Sequence, residues 1–67
     1  MEEMEKICII DLQDNIESAR IAAGALFGKY GNDGNYDKCV FFQMIRDQLK
    51  TMNDVIEEYK KVKDWNK

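Results

Sequence analysis

The sequence predicts an all-α fold, an antiparallel hairpin of two long helices joined by one turn, and three observations predict it. The 67 residues contain no proline, the four glycines gather between positions 24 and 34, and 34% of the residues are charged. On either side of the glycines, apolar residues recur at alternating spacings of three and four, the a/d pattern of helices packed in coiled-coil style. A chain this short holds one domain, residues 1–67, and buries only about 60% of the surface its unfolded form exposes. Small domains of this kind gain stability from disulfides, metals, unusually good helix packing or oligomerisation.

The first helix is expected over about residues 2–27, where Ile9, Leu12, Ile16, Ala19, Ala23 and Leu26 keep the three-four spacing. Gly28 is placed to close it in a left-handed conformation. Residues 28–35 then form the turn. Asn35 is a good N-cap for the second helix, expected over about residues 36–64, with Asp33 as the alternative. Phe42, Ile45, Leu49, Met52, Ile56 and Tyr59 carry its stripe. Pairing the stripes antiparallel sets Ala23 against Phe42, Ala19 against Ile45, Ile16 against Leu49, Leu12 against Met52 and Ile9 against Ile56. Small residues then face large ones, an alternation that fills space. Beyond them Glu5 meets Tyr59 and Glu2 meets Lys63.

The apolar set is wider than one seam. Phe41, Val55 and Val62 flank the second stripe, interrupted by Gln48; Cys8 and Ala22 flank the first, interrupted by Asn15, with Ile7, Ile21 and Ala25 further round. A face of roughly three positions in seven is what a bundle helix shows, against two in seven for a lone pair. The expectation is a homodimer forming a four-helix bundle, with Cys8, Ile21, Ala22, Phe41, Val55 and Val62 as interface residues.

Composition excludes several classes. With two cysteines and no histidine, one chain cannot complete a structural zinc site or a histidine-based catalytic triad, and its single serine has no such base. No cofactor and no enzymatic activity are expected. Cys8 and Cys39 lie about 27 Å apart along the expected hairpin at 1.5 Å per residue, too far for a disulfide, and read as reduced packing residues. Gly24 to Lys29 has three residues between its glycines where a phosphate-binding loop needs four. Residues 32–37 are too short for a calcium loop. No apolar run approaches a membrane span, and an acidic start unlike a secretory signal places the protein in the cytoplasm, with no membrane partner.

These readings leave a small helical interaction or regulatory protein that works as an oligomer through protein-protein contacts, a class that includes regulators, antitoxin-like inhibitors and adaptors of phage and other mobile elements. Lys29, Tyr30, Tyr36 and Trp65 are its candidate partner-binding residues, since aromatics at exposed tips anchor interfaces; Tyr30 is equally placed to cap the core below Leu26. The alternative partner is RNA, gripped by Arg46, Lys50, Lys60, Lys61 and Lys63, with Lys67 nearby, although acidic residues interleave with them as in ordinary surface pairing. In length and pattern, and in no residue motif, the chain resembles Rop-type plasmid copy-number proteins, which implies an RNA-binding hairpin dimer. A third reading is a small anion held between subunits by Arg20 or Lys29.

Overall fold

The computed structural model describes residues 2–65. Two helices, α1 (Glu3–Asn32) and α2 (Tyr36–Val62), pack against each other as an antiparallel hairpin. The molecule measures 48 × 17 × 13 Å, and its radius of gyration of 15.2 Å exceeds the roughly 11 Å of a compact domain this long. It is a rod two helices wide and one helix thick. Among the described residues, only Ile16 and Ala23, each 5% exposed, are buried.

Helix α1 runs five residues past its expected end at 27, and the turn shrinks from 28–35 to 33–35. Gly28 lies inside the helix, and the left-handed residue is Gly34, at φ 74°. The Asn35 amide donates to the Tyr30 carbonyl at 2.9 Å and the Gly34 amide to Gly31 at 3.3 Å, the two bonds of a Schellman closure. Asn35 then serves α2 as expected, its side-chain oxygen accepting from the Lys38 amide at 3.4 Å. One tripeptide thus ends one helix and begins the next. Helix α2 stops at Val62, two residues short of expectation, with a second closure of the same kind: Asp64 takes φ 54° and the Trp65 amide donates to the Lys60 carbonyl at 3.0 Å.

Moving the turn moves the register. Gly31 lies against Cys39, whose Sγ is 3.6 Å from where a Cβ would stand, and Gly24 lies equally close to the Nε of Arg46. Relative to the expected pairs, α1 meets α2 about five residues further along, some 7 Å at 1.5 Å per residue. The Glu5–Tyr59 contact survives, Tyr59 donating to the Glu5 carboxylate at 2.8 Å, because both side chains are long enough to span the difference.

The helices are also rotated from their expected facing. With heptad letters assigned so that Ile9, Ile16, Ala23 and Tyr30 on α1 and Phe42, Leu49 and Ile56 on α2 are a positions, these rows do line the seam. The second inward row is e more than d: of the d row, Glu5, Leu26 and Ile45 are partly buried while Leu12, Ala19, Met52 and Tyr59 are exposed. The e row comprises Gln13, Arg20 and Phe27 on α1 and Cys39, Arg46, Asn53 and Lys60 on α2, all partly buried. The expected d partners Leu12 and Met52 stay 47% and 49% exposed.

Candidate interaction surface

The a/e seam gives the hairpin two unlike faces. In an antiparallel pair the e rows of both helices fall on one side of the seam and the d and g rows on the other. The e side is polar and internally satisfied. Gln13 donates from Nε2 to the side chains of Asn53 and Glu57, at 3.0 Å each, and its carbonyl oxygen accepts from Lys60 Nζ at 3.0 Å. Lys60 also pairs with Glu57 at 3.6 Å and lies 4.6 Å from the Trp65 ring centroid. Its side chain is 17% exposed, the stem lying along the seam with the charge kept among partners. Further along, Gly24 leaves room for Arg46, whose guanidinium lies 5.4 Å from the Phe27 ring and donates to Gln43 at 3.4 Å. The e row holds these polar groups because their long stems cover the a row from one side.

Titration follows this network. The hydrogen bond from Gln13, and behind it the charges of Lys60 and Lys61, hold the Glu57 carboxyl below its ordinary pKa, against partial desolvation. At the open end, the bond from Tyr59 to Glu5, with desolvation and the Glu5 charge, raises the Tyr59 phenol.

The d/g side has no such cover. Cys8 and Ala22 on α1 and Phe41, Val55 and Val62 on α2 all belong to the g rows and all are exposed, the last three at 56%, 65% and 74%. They adjoin the d rows with Leu12, Met52 and Tyr59, so five of the six residues expected at an interface share one apolar face. Ile21 does not. It occupies an f position on the back of α1, 65% exposed and pointing away from that face. Its apolar character made it look like part of the flank, but 3.6-residue periodicity carries it round to the opposite side.

The remaining candidates divide between structure and surface. Tyr30 caps the seam, stacked on Phe42 with ring centroids 5.8 Å apart, and the ammonium groups of Lys29 and Lys38 lie 5.4 and 4.9 Å from its centroid. Trp65 is half-buried over Lys60, whereas Tyr36 stands 78% exposed at the turn. The basic residues expected to meet RNA differ in setting: Arg46 and Lys60 turn into the seam, Lys50 is exposed, Lys61 pairs with Glu58 at 3.8 Å and Lys63 lies 5.9 Å from the Tyr59 ring. Lys67 lies outside the described residues. Arg20 pairs with Glu17 at 3.5 Å. Both cysteines are free thiols, Cys8 exposed and Cys39 half-buried.

Sequence reasoning passed over Gln13 and Asn53 and took Glu57 as part of a solvated face. Their signal was present as polar residues at heptad spacing beside each a row, Gln13 and Arg20 on one helix and Arg46, Asn53 and Lys60 on the other. Among the described residues no group of acidic or cysteine side chains is arranged to hold a metal ion, and no helix is long and apolar enough to cross a membrane. Two shallow depressions, one at the turn around Asn35 and Tyr36 and one on α2 around Gln48 and Thr51, are open to solvent. Comparison with protein-family models, curated proteins and solved structures found no match.

Proposed function

We propose that this chain is a small non-enzymatic interaction protein of the cytoplasm whose working unit is a homodimer, two hairpins burying their d/g faces to form a four-helix bundle. The observation that carries the reading is the a/e seam. A lone pair of helices with this heptad pattern would turn its a and d rows on each other. Helices in a bundle divide their rows between two neighbours, so a and e meet one helix while d and g are left for another. In this hairpin the e row is partly buried and most of the d and g rows are exposed, which supports the second reading.

Surface area supports it. The hairpin exposes 5122 Å², against about 4400 Å² for a compact monomer of its 7.9 kDa mass. The excess is close to the roughly 800 Å² that each partner of a standard interface buries. In the dimer the e faces, the turn with Tyr36 and the charged outer rows stay available for a protein partner. Two thiols too far apart to pair within one hairpin fit a reducing compartment. Sedimentation equilibrium at micromolar chain concentration tests the proposal: the dimer mass supports it, and a folded monomer across that range removes it.

A further inference from the structure

We propose that the polar side of the hairpin binds the carboxylates of an acidic segment of a partner protein, through Arg20, Arg46 and Lys50 gathered around Gly24. This names the chemistry of the protein partner in the reading above, and it uses the e side, the face that the dimer leaves open.

The sequence has two arginines, Arg20 on α1 and Arg46 on α2, and both occupy e rows. Arg20 stands one heptad nearer the turn than Gln13. One heptad nearer the turn than Asn53, Glu57 and Lys60 stand Arg46, Lys50 and Asn53. Arg20 therefore faces Arg46 and Lys50 from the position in which Gln13 reaches its own partners at 3.0 Å. The repeat holds along the face, since a further heptad on Phe27 meets Arg46 as Gln13 meets Lys60, with 5.4 Å between ring and guanidinium.

The layer around Gln13 balances Lys60 with Glu57, whereas the layer around Arg20 is cationic. Arg46 is half-buried and donates to Gln43 at 3.4 Å, and among the described residues no carboxylate forms an ion pair with it or with Lys50. Arg20 has Glu17 at 3.5 Å, with the two side chains 38% and 63% exposed, a surface pair worth little. Asp47 accepts from Gln43 at 2.9 Å, and with Asp54 it lies in the f row, on the outer flank of α2.

Gly24 opens the site. The Nε of Arg46 stands 3.6 Å from where a Cβ would be, and the Phe27 ring supports the guanidinium, so Arg46 is held before any ligand arrives. Arg20 lies one turn back on the same side of α1. A carboxylate entering over the bare backbone of Gly24 meets both. Guanidinium groups match carboxylates in a two-pronged fork and lose little freedom when already positioned. The cationic stretch is one heptad long, about 10 Å. Glu57 bounds it toward the open end, and Phe27 and Cys39 bound it toward the turn. A nucleic-acid strand is followed by cations along its path, and this stretch is too short to follow one. Ile21, 65% exposed one turn from Gly24, adds the apolar contact that an amphipathic acidic peptide uses.

The two arginine Nε–Hε signals in NMR report on the site directly. Titration with hexaglutamate at low salt should shift both together. Lys50→Gln should weaken binding by about threefold and Arg46→Gln by about tenfold. Signals that stay unshifted at millimolar hexaglutamate overturn the site. An RNA hairpin oligonucleotide that shifts them at lower concentration than hexaglutamate overturns the choice of partner. Gly24→Glu provides a probe within the chain: the introduced carboxyl should titrate below an ordinary glutamate, and less so when Arg46→Gln is added. An ordinary pKa there overturns the site independently of any peptide. Sedimentation of the same samples separates this proposal from the dimer: a dimer that ignores hexaglutamate loses the site and keeps the bundle, and a monomer that binds it does the reverse.

Discussion

Val55→Ala isolates association from folding. Val55 is 65% exposed in the lone hairpin, so little of its side chain helps hold α2 against α1. The substitution removes two methyl carbons, worth about 0.8 kcal/mol each when fully buried. With two-thirds of the residue still open to a partner, about 1 kcal/mol per chain is gained only on association, and a symmetric dimer counts it twice. The expected cost is about 2 kcal/mol, or roughly a thirtyfold rise in the dimer dissociation constant. Alanine is the better helix former by about half a kcal/mol, so the hairpin itself should not lose helicity at concentrations where it is dimeric. Dilution series followed by sedimentation velocity, with far-ultraviolet circular dichroism at each concentration, read the two effects separately. An unchanged dissociation constant would refute the assignment of the d/g face as the interface.

Four further outcomes follow from the geometry. Ile21→Ala, on the back of α1 and exposed to the same 65% as Val55, should leave the dissociation constant unchanged within twofold. Gly28→Ala should stabilise by about 1 kcal/mol, because the position is helical with open space around the missing Cβ. Gly34→Ala should destabilise by about 1–2 kcal/mol, because a Cβ is strained at its left-handed φ of 74°; urea unfolding at one fixed chain concentration compares the two variants. Gln13→Ala should bring the Glu57 pKa up toward an ordinary carboxylate value, followed by NMR titration of the side-chain carboxyl. Since the folded pKa is the depressed one, the stabilisation it reports is present above the unfolded value and is lost as pH falls through the folded value, so the variant should show a shallower acid loss of stability than the wild type.

The a rows were legible because apolar residues at seven-residue spacing can hardly lie anywhere but in a seam. The choice between d and e as the second row was not. Periodicity locates a stripe on each helix but does not say which neighbour each edge of the stripe faces, and Leu12 and Met52 looked like better core residues than Gln13 and Asn53. What decided it was mutual: Gln13 reaches Asn53, Glu57 and Lys60 at once, a network that has no periodic signature and exists only once both helices are in register. The turn was misplaced for a local reason. Gly28 suits a helix end, yet glycine inside a helix costs only about 1 kcal/mol, and continuing to Asn32 carries Tyr30 onto Phe42. The Asp-Gly-Asn that follows satisfies the left-handed closure and the next cap together. Lys60 read as a solvated charge because Glu57, Glu58, Lys61 and Lys63 all lie within a turn of it in sequence; its burial comes from a stem long enough to cross the seam.

Isotope-filtered nuclear Overhauser spectra on a dimer mixed from labelled and unlabelled chains test most directly which face is the interface. Cross-peaks between chains should arise from Leu12, Met52 and Val55 and be absent from Gln13, Asn53 and Ile21. Intermolecular peaks centred on Gln13 or Ile21, or none at all at millimolar concentration, would contradict the account of this hairpin as half of a four-helix bundle.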